Sequence, residues 1–144
     1  MKSVCLVILL SLAVISDFSC KKNKDEEVSP ESISGTFKCF EVEAGGDISP
    51  LPAGGMTAEI VVKSSDLKTA TVDLHYTDNG KTSHFPTQLC TVTTDADGFL
   101  VLNKKNGGKL YLIYYDKETV DCFPELGIRF SGSRSGKKPS DWDD

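Results

Sequence analysis

The chain has 144 residues, with 21 acidic side chains against 16 basic ones and a net charge of −5. An acidic balance with scattered lysines leaves no electrostatic footprint for nucleic acid, so a nucleic-acid partner is excluded. The length suits one small domain with a modest core and little left over for a second.

In chain order, the first feature is a basic start at Lys2 followed by an apolar stretch, Val4 to Ile15, broken only by Ser11. A helix that spans a bilayer needs roughly 20 apolar residues, and this run is shorter. A short apolar run between a basic start and a small residue has the layout of a secretory signal, assigned to residues 1–19. Ordinary cleavage after Ser19 fits badly because Asp17 would stand at −3. Cys20, with Ser19 before it, instead resembles the lipobox cysteine of a bacterial lipoprotein. Asp17-Phe18 departs from the usual lipobox, and such relaxed boxes resemble those of Bacteroidetes-type bacteria. Lys24-Asp25-Glu26-Glu27 looks like the charged tract of their surface lipoproteins. The resemblance implies a lipid on Cys20 and an outer-membrane anchor facing the cell exterior. Three acyl chains, at about 0.8 kcal/mol per buried methylene, would hold it there permanently. Residues 20–33 are polar, with Ser29, Pro30 and Ser32, and are expected to form a flexible tether.

From Ser34 the hydrophobic period is two. Met56, Ala58, Ile60 and Val62 alternate with Thr57, Glu59, Val61 and Lys63; Ala70, Val72, Leu74 and Tyr76 alternate with Thr71, Asp73, His75 and Thr77. Leu110 to Tyr115 is apolar on both faces, as in a strand covered on both sides or lined by a ligand. Asp78-Asn79-Gly80, Asp97-Gly98 and Asn106-Gly107-Gly108 are turn signals; Asp66-Leu67 and Asp116-Lys117-Glu118 are weaker ones. The expected strands fall at 34–43, 56–64, 68–77, 82–94, 98–104, 109–116, 118–123 and 126–134. That is an all-β domain over 34–135, read as a small eight-stranded antiparallel up-and-down barrel that removes its own edges by closing. A β-sandwich is the alternative. The tail, 136–144, is charged and expected to be disordered.

Motifs that carry chemistry are scarce. Cys5 leaves with the signal; Cys39, Cys90 and Cys122 remain, and outside the cytoplasm one disulfide among them plus one thiol is expected, the pairing open. A zinc site needs more clustered ligands than these cysteines provide with His75 and His84. Asp95-Ala96-Asp97-Gly98 looks like part of a calcium loop, but Lys104 stands where the bidentate glutamate belongs, so it reads as a hairpin turn. No Gly-x-Ser-x-Gly, H-E-x-x-H or phosphate-binding glycine loop appears. The expectation is no enzyme, no metal and no cofactor.

Gly35-Thr36-Phe37 at the start of the domain and Ile128-Arg129-Phe130-Ser131-Gly132-Ser133-Arg134 at its end together resemble the calycin pattern of lipocalin-like proteins. There, Gly-x-Trp opens the first strand and an arginine from the last strand packs over the ring. Phe37 here replaces the tryptophan, and Arg129 or Arg134 is the candidate cation, with Gly35, Phe37 and Arg129 taken as the barrel-closing set. The resemblance further implies that the loop Ala44 to Gly55 lies across an open mouth. Ile48, Leu51 and Met56 are then expected to face a cavity supplied with aromatic rings by Tyr76, Phe99, Tyr114 and Phe130. The implied role is binding of a small apolar or amphipathic ligand. The alternative is a protein-interaction module, such as an inhibitor of a host or competitor enzyme, acting through its loops.

Overall fold

The computed structural model describes residues 30–142; the expected export signal, Cys20 and most of the expected tether lie outside the described residues. A single turn of helix, α1 (Pro30–Ile33), is followed by β1 (Gly35–Ala44), β2 (Asp47–Pro50), β3 (Thr57–Ser64), β4 (Thr69–Asp78) and β5 (Lys81–His84). Then come β6 (Gln88–Thr94), β7 (Leu100–Lys104), β8 (Leu110–Tyr114), β9 (Thr119–Cys122) and β10 (Ile128–Ser133). Eight of these form a closed ring in the order β1, β3, β4, β6, β7, β8, β9, β10, every neighbour antiparallel and consecutive along the ring. The β10–β1 ladder, Lys38↔Ser133 to Ala44↔Ile128, shuts it. The chain is therefore an up-and-down eight-stranded barrel, and the sandwich alternative is excluded.

Two strands lie outside the ring, where sequence reading places a loop and the front of one long strand. β2 hangs on the far half of β1, and β5 on the far half of β4. A bulge makes the first possible: the β1–β10 register shifts between Cys39 and Glu41, leaving Phe40 as the extra residue. Such a residue bends its strand, so the edge of β1 that pairs β3 through Gly35–Lys38 pairs β2 through Glu41–Ala44. The carbonyl of Phe40 accepts from Leu51 N at 2.7 Å, which ties down the loop after β2. The second follows from Pro86. Having no N–H to give a ladder, it divides the expected strand 82–94 into β5 and β6, which pair β4 in succession. Gly45-Gly46 and Asn79-Gly80 close the two outlying hairpins as two-residue turns with positive φ at both positions, as type I′ turns require.

Inward side chains fill the barrel from α1 upward. Phe37, Ile60, Leu74, Leu102, Leu112 and Val120 are completely buried, as expected of eight strands, whose bore is about the width of its own side chains. The double apolar face of Leu110–Tyr115 has a local cause. The β7–β8 register skips at Leu102/Asn103, and this second bulge buries Tyr111 beside Leu112. Leu110 and Tyr115 stay largely exposed.

Both ends of the domain differ from expectation. Ile33, inside the expected tether, is in the core, and its carbonyl accepts from the Tyr114 hydroxyl. The expected disordered tail is ordered through a 3-10 turn, Ser140–Trp142. There the Trp142 ring meets Tyr115 edge-on at 5.1 Å and Phe40 at 5.7 Å. Three aromatic rings from β1, the end of β8 and the tail hide more apolar surface together than a charged tail suggests from composition.

Candidate functional site

The barrel has a shut end and an open end. At the shut end, beside α1, Arg134 lies over the Phe37 ring with its guanidinium carbon 4.6 Å from the centroid. Its nitrogens donate to three backbone carbonyls: Nη2 to Ser32 at 2.7 Å, Nη1 to Ser34 at 3.1 Å and Nε to Lys117 at 2.7 Å. Gly35 has φ +148°, and a Cβ there would stand 2.2 Å from Arg134 Nη1, so only glycine lets the guanidinium approach. The closing arginine is thus Arg134, not Arg129. Arg129 points outward because residues of β10 alternate and its neighbour Phe130 points in. It pairs with Glu41 at 3.2 Å, Glu43 at 3.0 Å and Asp121 at 3.6 Å.

At the open end the side-chain filling stops. An apolar cavity of about 520 Å³ lies between the β1–β2 hairpin, the loop Leu51–Met56, β4 and β10. Val42, Leu51, Met56, Tyr76, Phe85 and Phe130 form most of its wall; Ser49 and the Tyr76 hydroxyl are its polar side-chain groups, and no charged side chain lines it. The two outlying strands extend its wall. β2 carries Ser49 and Pro50 past the end of β3, and β5 leads into Phe85, whose ring meets Tyr76 at 5.7 Å and Phe130 at 6.2 Å.

Of the residues expected around a ligand, Leu51, Met56, Tyr76 and Phe130 meet here. Ile48 does not: it sits on β2 with 59% of its surface exposed. Phe99 and Tyr114 are at the shut end, Phe99 against Tyr115 at 5.7 Å and Tyr114 edge-on to Phe37 at 5.8 Å. Sequence reading missed Val42, Phe85 and Ile128. Strand alternation was available for Val42 and Ile128. The signal for Phe85 was the proline after it.

The three cysteines of the domain are buried free thiols, and the expected disulfide is not formed. Burial, and then the carboxylates of Glu59 and Asp121, push the Cys39 thiol up to about 12; burial pushes Cys90 up to about 11 and Cys122 upward as well. Protonated, inaccessible thiols are poor nucleophiles and metal ligands. Asp121, 1% exposed, holds its carboxyl above the ordinary range because burial outweighs help from Ser131, Tyr115 and Arg129. It lies on the outer face in a cross-strand row with Ser131 and Glu41 and accepts from the Tyr115 hydroxyl at 3.0 Å. Among the described residues, no three His, Cys, Asp or Glu side chains converge as a metal cage.

Compared with known proteins, the chain matches no family model, no curated protein and no solved structure. The cavity and the fold around it carry the functional argument.

Proposed function

We propose that this is a surface-anchored binding protein that holds a small apolar molecule, or the apolar end of an amphipathic one, in the mouth of its barrel. The observation that carries the reading is the 520 Å³ cavity lined without a single charge, a size and chemistry typical of small-ligand sites. A molecule seated there would keep any charged group at the rim, since nothing inside would neutralise it. The packed interior below limits how deep the molecule can go.

Anchoring fits the same geometry. The chain enters the barrel through α1 at the shut end, and the mouth is at the opposite end. A lipid on Cys20, ten residues before Pro30, would put the membrane on the side of the shut end. The mouth would then face away from the membrane, toward molecules in the medium. The closing contact of Phe37 with Arg134 supports the lipocalin-like resemblance.

Native mass spectrometry of protein from its own host, joined to titration with an environment-sensitive apolar fluorophore, tests the reading. A retained small-molecule mass and saturable fluorescence that Met56→Trp abolishes by filling the cavity would support it. A bare mass together with fluorescence indifferent to Met56→Trp would sink it.

One observation favours a second reading, recognition of a protein partner. Leu126, completely exposed, projects from the β9–β10 turn above a groove of about 550 Å³ that also takes in Leu110 and Phe123. Loss of a captured partner on Leu126→Ser, with fluorophore binding intact, would assign that role to the groove.

A further inference from the structure

His75 and His84 stand directly opposite each other across the β4–β5 ladder, on the outer face, with ring centroids 6.2 Å apart. Phe85 N donates to the carbonyl of Leu74 at 3.0 Å. That bond makes His75 and His84 a non-hydrogen-bonded pair, the kind whose Cα atoms come within about 4.5 Å and whose side chains lie closest. The register is fixed on one side by the Asn79-Gly80 turn and in the next row by the Thr77–Thr82 hydroxyl contact at 3.0 Å. Beyond His75, on β3, Glu59 occupies the opposite position, so a row of Glu59, His75 and His84 runs across three strands.

An imidazole bound through nitrogen at about 2.0–2.1 Å has its centroid about 3.2 Å from the metal, so two rings on one ion lie up to about 6.4 Å apart. The observed 6.2 Å falls within that limit for nearly opposite bonds. A tetrahedral angle brings the centroids to about 5.2 Å, so the exposed His84 ring has to turn about 1 Å closer to the half-buried His75. Paired neutral imidazoles suit zinc and copper. The carboxylate of Glu59, with Lys38 of β1 opposite it on its other side, adds negative charge beside the pair.

We propose that His75 and His84 form a two-imidazole clasp for one divalent transition-metal ion of the zinc and copper class, with Glu59 supplying charge beside it and water completing the coordination. The clasp sits behind the wall of the mouth, since Tyr76 and Phe85, next in chain to these two histidines, line the cavity. A bound ion would pin β5 to β4 and stiffen that wall. Only this last consequence rests on the ligand reading of the mouth; the clasp does not.

The test is calorimetric titration of the protein with zinc chloride, repeated with copper chloride, while the imidazole proton resonances are followed by NMR. One ion per chain, with both histidines shifting together, is expected. His75→Gln and His84→Gln should each weaken binding by about tenfold or more, and Glu59→Gln by a few-fold. Circular dichroism checks that the surface variants stay folded. Binding that survives the double histidine variant, that responds to only one of the two substitutions, or that is missing at about millimolar metal would each overturn the clasp. Fluorophore affinity with and without zinc then reads the effect on the mouth separately.

Discussion

The two ends of this barrel are made from the same eight strands and the same alternation, yet one is shut and the other open. At the shut end every inward position meets a partner: Phe37 meets Tyr114 and Arg134, and Ile33 closes over them. At the mouth, β1 runs past its pairing with β3 and β4 past its pairing with β6, and they take β2 and β5 as substitutes. The wall grows taller without gaining side chains to fill the space it encloses. A cavity here is a consequence of strand length, one bulge in β1 and the proline that ends β5.

The same substitution made at both ends should cost different amounts. Phe37→Ala should cost about 4 kcal/mol by urea unfolding, because its cavity cannot collapse among completely buried neighbours. Phe85→Ala, at the half-buried lip, should cost about 1.5 kcal/mol and weaken ligand retention instead. Equal losses at both ends would mean that the mouth is packed as tightly as the base.

Next in size is the closing arginine. Gly35→Ala, driven against Arg134 Nη1, and Arg134→Met, which strips three backbone carbonyls of their donor, should each cost about 2–3 kcal/mol. Arg129→Met breaks the outer ion pairs with Glu41, Glu43 and Asp121 and should leave the Phe37 contact of Arg134 in place. Trp142→Ala, removing one ring from the outer aromatic trio, should cost about 1 kcal/mol and leave the mouth unchanged.

The smallest effect is electrostatic. Asp121 has its carboxyl raised in the folded chain, so the folded state binds that proton more tightly than the unfolded one. Stability from this group is therefore present at low pH and falls as pH rises from the ordinary carboxylate range through the raised value. Asp121→Asn keeps an acceptor for Tyr115, so stability at neutral pH should hold or rise slightly and its decline with pH should flatten. A steeper decline in the variant would contradict the assignment.

Alternation and turn chemistry were legible because they are local. The inner faces of β3 and β4, and the turn at Asn79-Gly80, follow from side-chain period and from which residues take positive φ cheaply. The same reasoning led to eight strands and a closed barrel, whereas the four expected residues that meet at the mouth were named through the lipocalin-like resemblance.

What the tertiary structure alone decided are matters of partnership. Which arginine lies over Phe37 depends on where β10 stands relative to a bulge in β1, and Arg129 and Arg134 look alike until that register is fixed. Ile48 was lost from the cavity and Phe85 gained because β2 and β5 pair beyond the ring, a choice made by neighbours rather than by their own four residues each. That the cysteines are free thiols, and that Trp142 meets Phe40 and Tyr115, was likewise decided by tertiary contacts. A strand's own sequence sets which side chains share a face; the ladder that joins it to distant strands sets what that face meets.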